Sequence, residues 1–179
     1  MQIYTIGHSN RPGEEFISLL KQQDIEMLID VRRFPGSRYN PQFNKGKLKE
    51  ALEKEGIQYV SMPELGGRRN PLPESVNVAW KEPGFQGYAD YMQTTGFEHA
   101  LGELLVHSAA HRTAYMCAEA DYHRCHRQLI SDALTVRECE VLHITDAGIE
   151  SHSLTAFAKV EGTRLSYPGP SASQPSLFE

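Results

Sequence analysis

Three cysteines, an odd number, are too few to staple a small secreted scaffold, which argues against a disulfide framework. Long apolar runs are also missing. None approaches the roughly 20 residues that span a bilayer, so no membrane contact is expected. Residues 1–7 carry none of the charged, apolar and cleavage segments of an export signal. With neither anchor nor signal, a cytoplasmic location is expected. A basic excess is absent too: 18 Lys and Arg stand against 23 Asp and Glu, a formal net charge of −5. A whole-surface footprint for DNA is thereby excluded, and any grip on an anion must come from a local cluster. Arg32, Arg33, Arg38, Lys45 and Lys47 supply one in a short stretch. No repeat of fixed period is found.

The hydrophobic residues, 40% of the chain, are enough to fill one core, and 179 residues make one domain. Residues 2–6 alternate polar and β-prone side chains and read as a strand. Pro12 opens a helix that carries Phe16, Leu19 and Leu20 inward and ends near Gln23. Residues 27–31 are an apolar run broken by one acid, the pattern of a strand buried on both faces. Residues 33–44, rich in Pro, Gly and Asn, read as a loop. A helix over 45–55, stopped by Gly56, and a strand over 57–62 follow.

The stretch 63–84 is long and irregular, a length that goes with function or mobility in a compact domain. Beyond it the pattern predicts one long helix or a broken pair over 87–107, then a strand over 113–117. A helix over 121–137 turns Leu129, Ile130, Ala133 and Leu134 inward, and a last strand covers 140–144. The alternation implies a single α/β domain: a mainly parallel sheet of about five strands with helices on both faces. The domain is expected to occupy 1–161, and a flexible tail rich in Ser, Pro and Gly to occupy 162–179.

Open parallel sheets bind ligands beyond the carboxyl ends of their strands. Those ends carry Gly7, His8, Ser9 and Asn10; Asp30, Arg32 and Arg33; Glu64, Gly66 and Gly67; Cys117 and Glu119; and His143, Thr145 and Asp146. Asp30 is costly to bury unpaired, and Arg32 faces the same way two residues on. Either the two form a buried ion pair that pins the next loop, or the arginine grips an anion with its planar fork. His8 is a ligand, a proton carrier or a loop cap. Tyr88 packs in the core or stacks on a base at the site mouth. Gly66 and Gly67, ahead of Arg68 and Arg69, would let backbone approach a phosphate.

The densest constellation is CAEADYHRCHR, residues 117–127. Three readings compete. Cys117 is a thiolate nucleophile activated by a helix amino terminus and arginines. A phosphatase-type loop, however, wants its arginine six positions after the cysteine, where His123 stands and Arg124 is one too far. Alternatively Cys117, Cys125 and His126 or His123 hold zinc, at spacings unlike a standard knuckle. In the third reading Asp30 and Glu119 are working carboxylates on adjacent strands. Plain packing of Cys117 and Cys125 stands against all three. The favoured assignment places catalysis on Asp30, Glu119, Cys117 and His8. Substrate contact falls to Ser9, Arg32, Arg33, Arg127, Gly66, Gly67 and Tyr88, and no metal is assigned.

Residues 174–178 read QPSLF. Adjacent apolar anchors with a polar residue fixing register suit insertion into a preformed pocket. The string resembles the Gln-x-x-Leu-Phe peptides with which bacterial replication and repair proteins bind the sliding clamp. Gln174, Leu177 and Phe178 match, and Pro175 departs from the commoner leucine.

The strings TIGHSN at 5–10, LIDVRRFPGSR at 28–38, ELGG at 64–67, YADYM at 88–92 and MCAEADYHRCHR at 116–127 occur in this order. Together they resemble the family known as domain of unknown function 488. The resemblance implies a compact α/β bacterial domain without an assigned activity, and for some relatives a similar Leu-Phe ending. LIDVR and YMC are also similar to segments of rhodanese-like sulfur-transfer domains, but their short, glycine-bearing Cys loop is not found here. The leading expectation is an enzyme acting on a nucleotide or nucleic acid such as DNA, of hydrolase or glycosyl-transfer type. It would be recruited to replication or repair through the sliding clamp. The alternatives are a cysteine-dependent enzyme of rhodanese or phosphatase kind, and a module that binds a nucleotide without turnover. The sequence identifies no cofactor.

Overall fold

Strand β1 (Gln2–Gly7) divides its side chains between two cores: Ile3 faces one, Tyr4 and Ile6 the other. That alternation is the pleat at work, and it recurs across the sheet. In β2 (Met27–Asp30), Met27 and Ile29 point one way and Leu28 the other. In β4 (Thr113–Cys117), Tyr115 and Cys117 lie on the first side, Ala114 and Met116 on the second. With β3 (Gln58–Ser61), β5 (Glu140–Thr145) and β6 (Gly148–Ser151) the strand order is β3-β2-β4-β1-β5-β6. All pairs are parallel except β5 with β6. The structure is a computed structural model that describes residues 1–170.

Helices α1 (Gly13–Lys21) and α2 (Lys45–Lys54) cover one face with Phe16, Leu20, Leu48 and Leu52. Helices α3 (Pro83–Tyr91), α4 (Thr95–Ala110) and α5 (Arg127–Thr135) cover the other with Tyr88, Phe97, Leu101, Leu104, Leu129 and Leu134. The face used by the crossovers changes where travel along the sheet reverses, after β3, as one crossover hand requires. Strand β4 lies between β2 and β1, whose connections leave toward α2 and α1. Its own connection leaves toward α5 on the opposite face. Adjacent connections part beyond the end of β4, and a crevice is left there.

Several sequence expectations change. The helix expected over 121–137 starts only at Arg127. Asp121 caps a short 3-10 turn, its carboxylate accepting from the His123 amide at 2.9 Å, and Cys125 is extended. Local side-chain bonds of this kind compete with helix. The expected last strand, β5, is followed by three more: β6, and a separate hairpin of β7 (Lys159–Glu161) and β8 (Arg164–Ser166). Gly162, read as the start of a linker, is the hairpin turn at φ +64°. Leu165 and Tyr167 beyond it are buried in the core. The expected boundary at 161/162 therefore cuts an ordered unit.

The long stretch after β3 is pinned rather than loose. Asp90 of α3 accepts from Ser75 Oγ, Asn77 Nδ2 and the Leu72 amide. Asn77 in turn accepts from the Tyr167 amide, and the Tyr167 hydroxyl reaches Asp132 of α5. Among the described residues, no helix is long and apolar enough to cross a membrane.

Candidate functional site

Asp30 is fully enclosed and every lone-pair direction is used. Its oxygens accept from Arg32 Nε at 2.8 Å, Arg32 Nη2 at 2.6 Å, the Arg32 amide at 3.1 Å and the Tyr59 hydroxyl at 2.7 Å. Arg32 also donates to the Phe43 carbonyl and to His8 Nε2. This is the loop-pinning ion pair, and it removes Asp30 from the set of groups that could meet a substrate. Asp30 pairs in register with Met116, so it projects to the α1/α2 face, away from Cys117. The pair also pushes the Tyr59 hydroxyl far above its ordinary range, through burial first and then the Asp30 charge.

His8 is equally occupied. Nδ1 donates to the Ser9 carbonyl at 2.6 Å, and Nε2 accepts from Arg32 at 3.2 Å, which fixes the neutral Nδ1–H tautomer. Its ring stacks on Phe43. Burial holds its pKa down at about 4. A role as proton carrier is lost with that packing, and His8 acts as a loop cap.

Arg127, expected on phosphate, is buried and grips the backbone instead. Nη2 donates to the carbonyls of Glu119 and Ala120, and Nη1 to Thr5 Oγ1. The loop after β4 is thereby tied over β1. Gly7 makes this closeness feasible, because a β-carbon there would run into the Glu119 carbonyl and the Arg127 guanidinium. The amides of His8 and Ser9 donate to the carbonyls of Cys117 and Ala118, locking the two loops edge to edge.

Beyond the end of β4 lies a cavity of about 430 Å³. Cys117, Ala118 and Glu119 form its floor. Arg32, Arg33 and Phe34 come from the loop after β2, Gly67 and Arg68 from the segment after β3. Phe85 and Glu82 stand at the start of α3, and Arg124, Cys125 and His126 lead into α5. Three guanidiniums, those of Arg33, Arg68 and Arg124, are exposed at its rim. Arg32 shows only an edge, its charge met by Asp30. Exposed Phe34 lies under Arg33 and Arg68, 5.8 and 6.0 Å from their guanidinium carbons.

Two thiols and one imidazole converge at the base. His126 Nδ1 is 3.7 Å from Cys125 Sγ and 4.0 Å from Cys117 Sγ. The half-buried thiol of Cys117 is held well above its ordinary pKa, by its bond toward Cys125 first and then by desolvation. Cys125 is held well below its own, by that bond first, with His126 and Arg127 adding to it against burial.

The cavity brings together Cys117, Glu119, Arg32, Arg33 and Gly67 from the sequence-read set, and with them Cys125 and His126 of the zinc alternative. Ser9 lines a neighbouring hollow with Glu119 and Arg68. Tyr88 does not reach the mouth: it is fully buried, donates to the Leu65 carbonyl at 2.7 Å and packs against His126. Gly66 and Gly67 both sit tightly against neighbouring protein, and Gly67 also lines the cavity. A β-carbon at Gly66 would strike Arg33, and one at Gly67 would lie 2.8 Å from His126 Nδ1. Gln174, Leu177 and Phe178 lie outside the described residues. Sequence reasoning gave no site role to Phe34, Glu82 or Phe85. An exposed aromatic in a Pro- and Gly-rich loop was the available signal for Phe34.

The model of the family described as Domain of unknown function DUF488 matches residues 12–134. That is more than half of the chain. The chain belongs to the DUF488 family. Every residue lining the cavity falls inside the span matched by the DUF488 model, whereas Gly7, His8 and the β7–β8 hairpin fall outside it. No curated protein and no solved structure matches the chain.

Proposed function

We propose that this DUF488 chain is an enzyme acting on a phosphate-bearing substrate, a nucleotide or a nucleic-acid strand, in the cavity beyond β4. The observation that carries the reading is the meeting of Cys117, Cys125 and His126 with the rim guanidiniums of Arg33, Arg68 and Arg124 in one cavity. The guanidiniums suit phosphate oxygens. Phe34 and Phe85 offer flat apolar surface for a base or sugar. The reacting groups are at the sulfur and imidazole cluster, with Glu119 and Glu82 the carboxylates that share the cavity. Asp30 has no part in the chemistry.

Recruitment is a separate element of the proposal. Gln174, Leu177 and Phe178 would dock into the sliding clamp and bring the enzyme to DNA under replication or repair. It is supported by the QPSLF string.

The test is product formation by mass spectrometry from a panel of nucleotides and single- and double-stranded oligonucleotides. Wild-type protein is expected to convert at least one member, and Cys117→Ser to abolish the conversion. Binding of panel members with no conversion of any would contradict the enzyme reading.

A further inference from the structure

We propose that Cys117, Cys125 and His126 form a zinc site whose fourth position opens into the cavity. The inference rests on the reading of that cavity as the active centre, and it names what the centre holds.

The ligand atoms come from the end of β4 and from two consecutive residues eight and nine positions on, which the fold brings together. Cys117 ends β4, with its carbonyl held by the His8 amide. Cys125 closes the 3-10 turn capped by Asp121. His126 is the N-cap residue that precedes α5. Their ligand atoms all lie within 4.8 Å of one another. In a tetrahedral zinc site, bond lengths of about 2.3 Å to sulfur and about 2.0 Å to nitrogen put neighbouring ligand atoms roughly 3.5–3.8 Å apart. The observed 3.7 and 4.0 Å from His126 Nδ1 to the two sulfurs need only a small inward movement.

The histidine presents the right atom. Nε2 is buried and has no hydrogen-bond partner. Nδ1 faces both sulfurs. Gly67 preserves room on that side, since a β-carbon there would crowd Nδ1 at 2.8 Å. This is a physical reason for glycine at 67.

Charge balance is compatible with zinc. Two thiolates and a neutral imidazole on Zn²⁺ sum to zero. A neutral cluster adds no negative charge beside the exposed guanidiniums of Arg33, Arg68 and Arg124. Among the described residues, no fourth His, Cys, Asp or Glu joins the group. Three protein ligands with an open position mark a catalytic rather than a structural zinc site. Soft sulfur ligands with one imidazole select zinc over magnesium or calcium. Glu119 lines the same cavity but stands outside the ligand group.

The test uses the full chain, stripped of metal under strong reductant and titrated with Co²⁺ and then Zn²⁺. One equivalent of Co²⁺ is expected to produce a thiolate-to-cobalt charge-transfer band and the intense d–d bands of four-coordinate geometry. Zn²⁺ should displace both stoichiometrically and protect two thiols from alkylation. Cys117→Ser and Cys125→Ser should each diminish the charge-transfer band, and His126→Gln should shift the d–d bands while leaving the thiolate band. Circular dichroism checks that each variant is folded. Failure of reduced wild-type protein to develop the cobalt bands would overturn the zinc site, as would bands unchanged in all three variants. Nucleotide binding by the metal-free protein is read separately. Its persistence would show that the zinc inference alone had failed, not the assignment of the cavity.

Discussion

Asp30 and Cys117 end adjacent strands, yet they project to opposite faces of the sheet. Asp30 turns toward α1 and α2 with Arg32 and Tyr59, and Cys117 toward α5 with Cys125 and His126. One residue of register separates a structural ion pair from the floor of the cavity, because side chains alternate with a period of two.

Asp30→Asn should therefore act on stability. It leaves the guanidinium of Arg32, only 6% exposed, without its countercharge. Breaking one partner of a buried pair costs about 3 kcal/mol. Urea unfolding should show a loss of that order. A change below about 1 kcal/mol would mean that the ion pair does not hold the loop.

Gly7 and Gly102 should respond in opposite ways to alanine. At Gly7 the added carbon meets the Glu119 carbonyl and Arg127, and overpacking of this kind costs about 1–3 kcal/mol. At Gly102, inside α4, it meets nothing within 4 Å, and the helix should gain up to about 1 kcal/mol. Thermal unfolding of the two variants beside wild type checks both signs.

Acidification should destabilise the fold through its buried histidines. Burial holds His8 down at about 4 in the folded chain, against an unperturbed value of 6.5, and His143 at about 2. Between those values the unfolded chain binds more protons, so stability rises with pH and is lost as pH falls. For His8 the loss begins near pH 6.5 and is complete below about 4. Unfolding curves from pH 7.5 to 4.5 should show this slope, and His8→Gln should flatten it. A slope unchanged in the variant would remove His8 from the account.

The recruitment element is tested by titrating purified sliding clamp with a peptide of residues 170–179. Saturable binding is expected, and its loss when Leu177 and Phe178 are both changed to alanine. No binding at high peptide concentration would retire the element without touching the cavity.

The parallel sheet was legible because buried strands such as 27–31 and helix signals such as Pro12 and Gly56 agree locally with the fold. The short edge elements were not. Residues 148–151 are exposed along their length and carry no inward alternation, and Gly162 reads alike as linker or turn. At the site, the strand-end rule placed Cys117, Glu119, Arg32 and Arg33 on one cavity. It misassigned Arg127 and Asp30, since type and position alone do not say whether a charge meets ligand or backbone. The meeting of Cys125 and His126 with Cys117 depends on the turn capped by Asp121, which a continuous helix would have prevented.

Trp80, the only tryptophan, stacks on Phe85 of the cavity wall with ring centroids 4.8 Å apart, so its fluorescence reports on occupancy. The most direct measurement is its change as nucleotides and short single-stranded oligonucleotides are added to wild type and to the Arg33→Ala/Arg68→Ala double variant. A saturable response that weakens with added salt, and that the double variant loses while staying folded, is the predicted result. An equal response in the double variant, or none in wild type with any phosphate-bearing ligand, would contradict the assignment of the cavity.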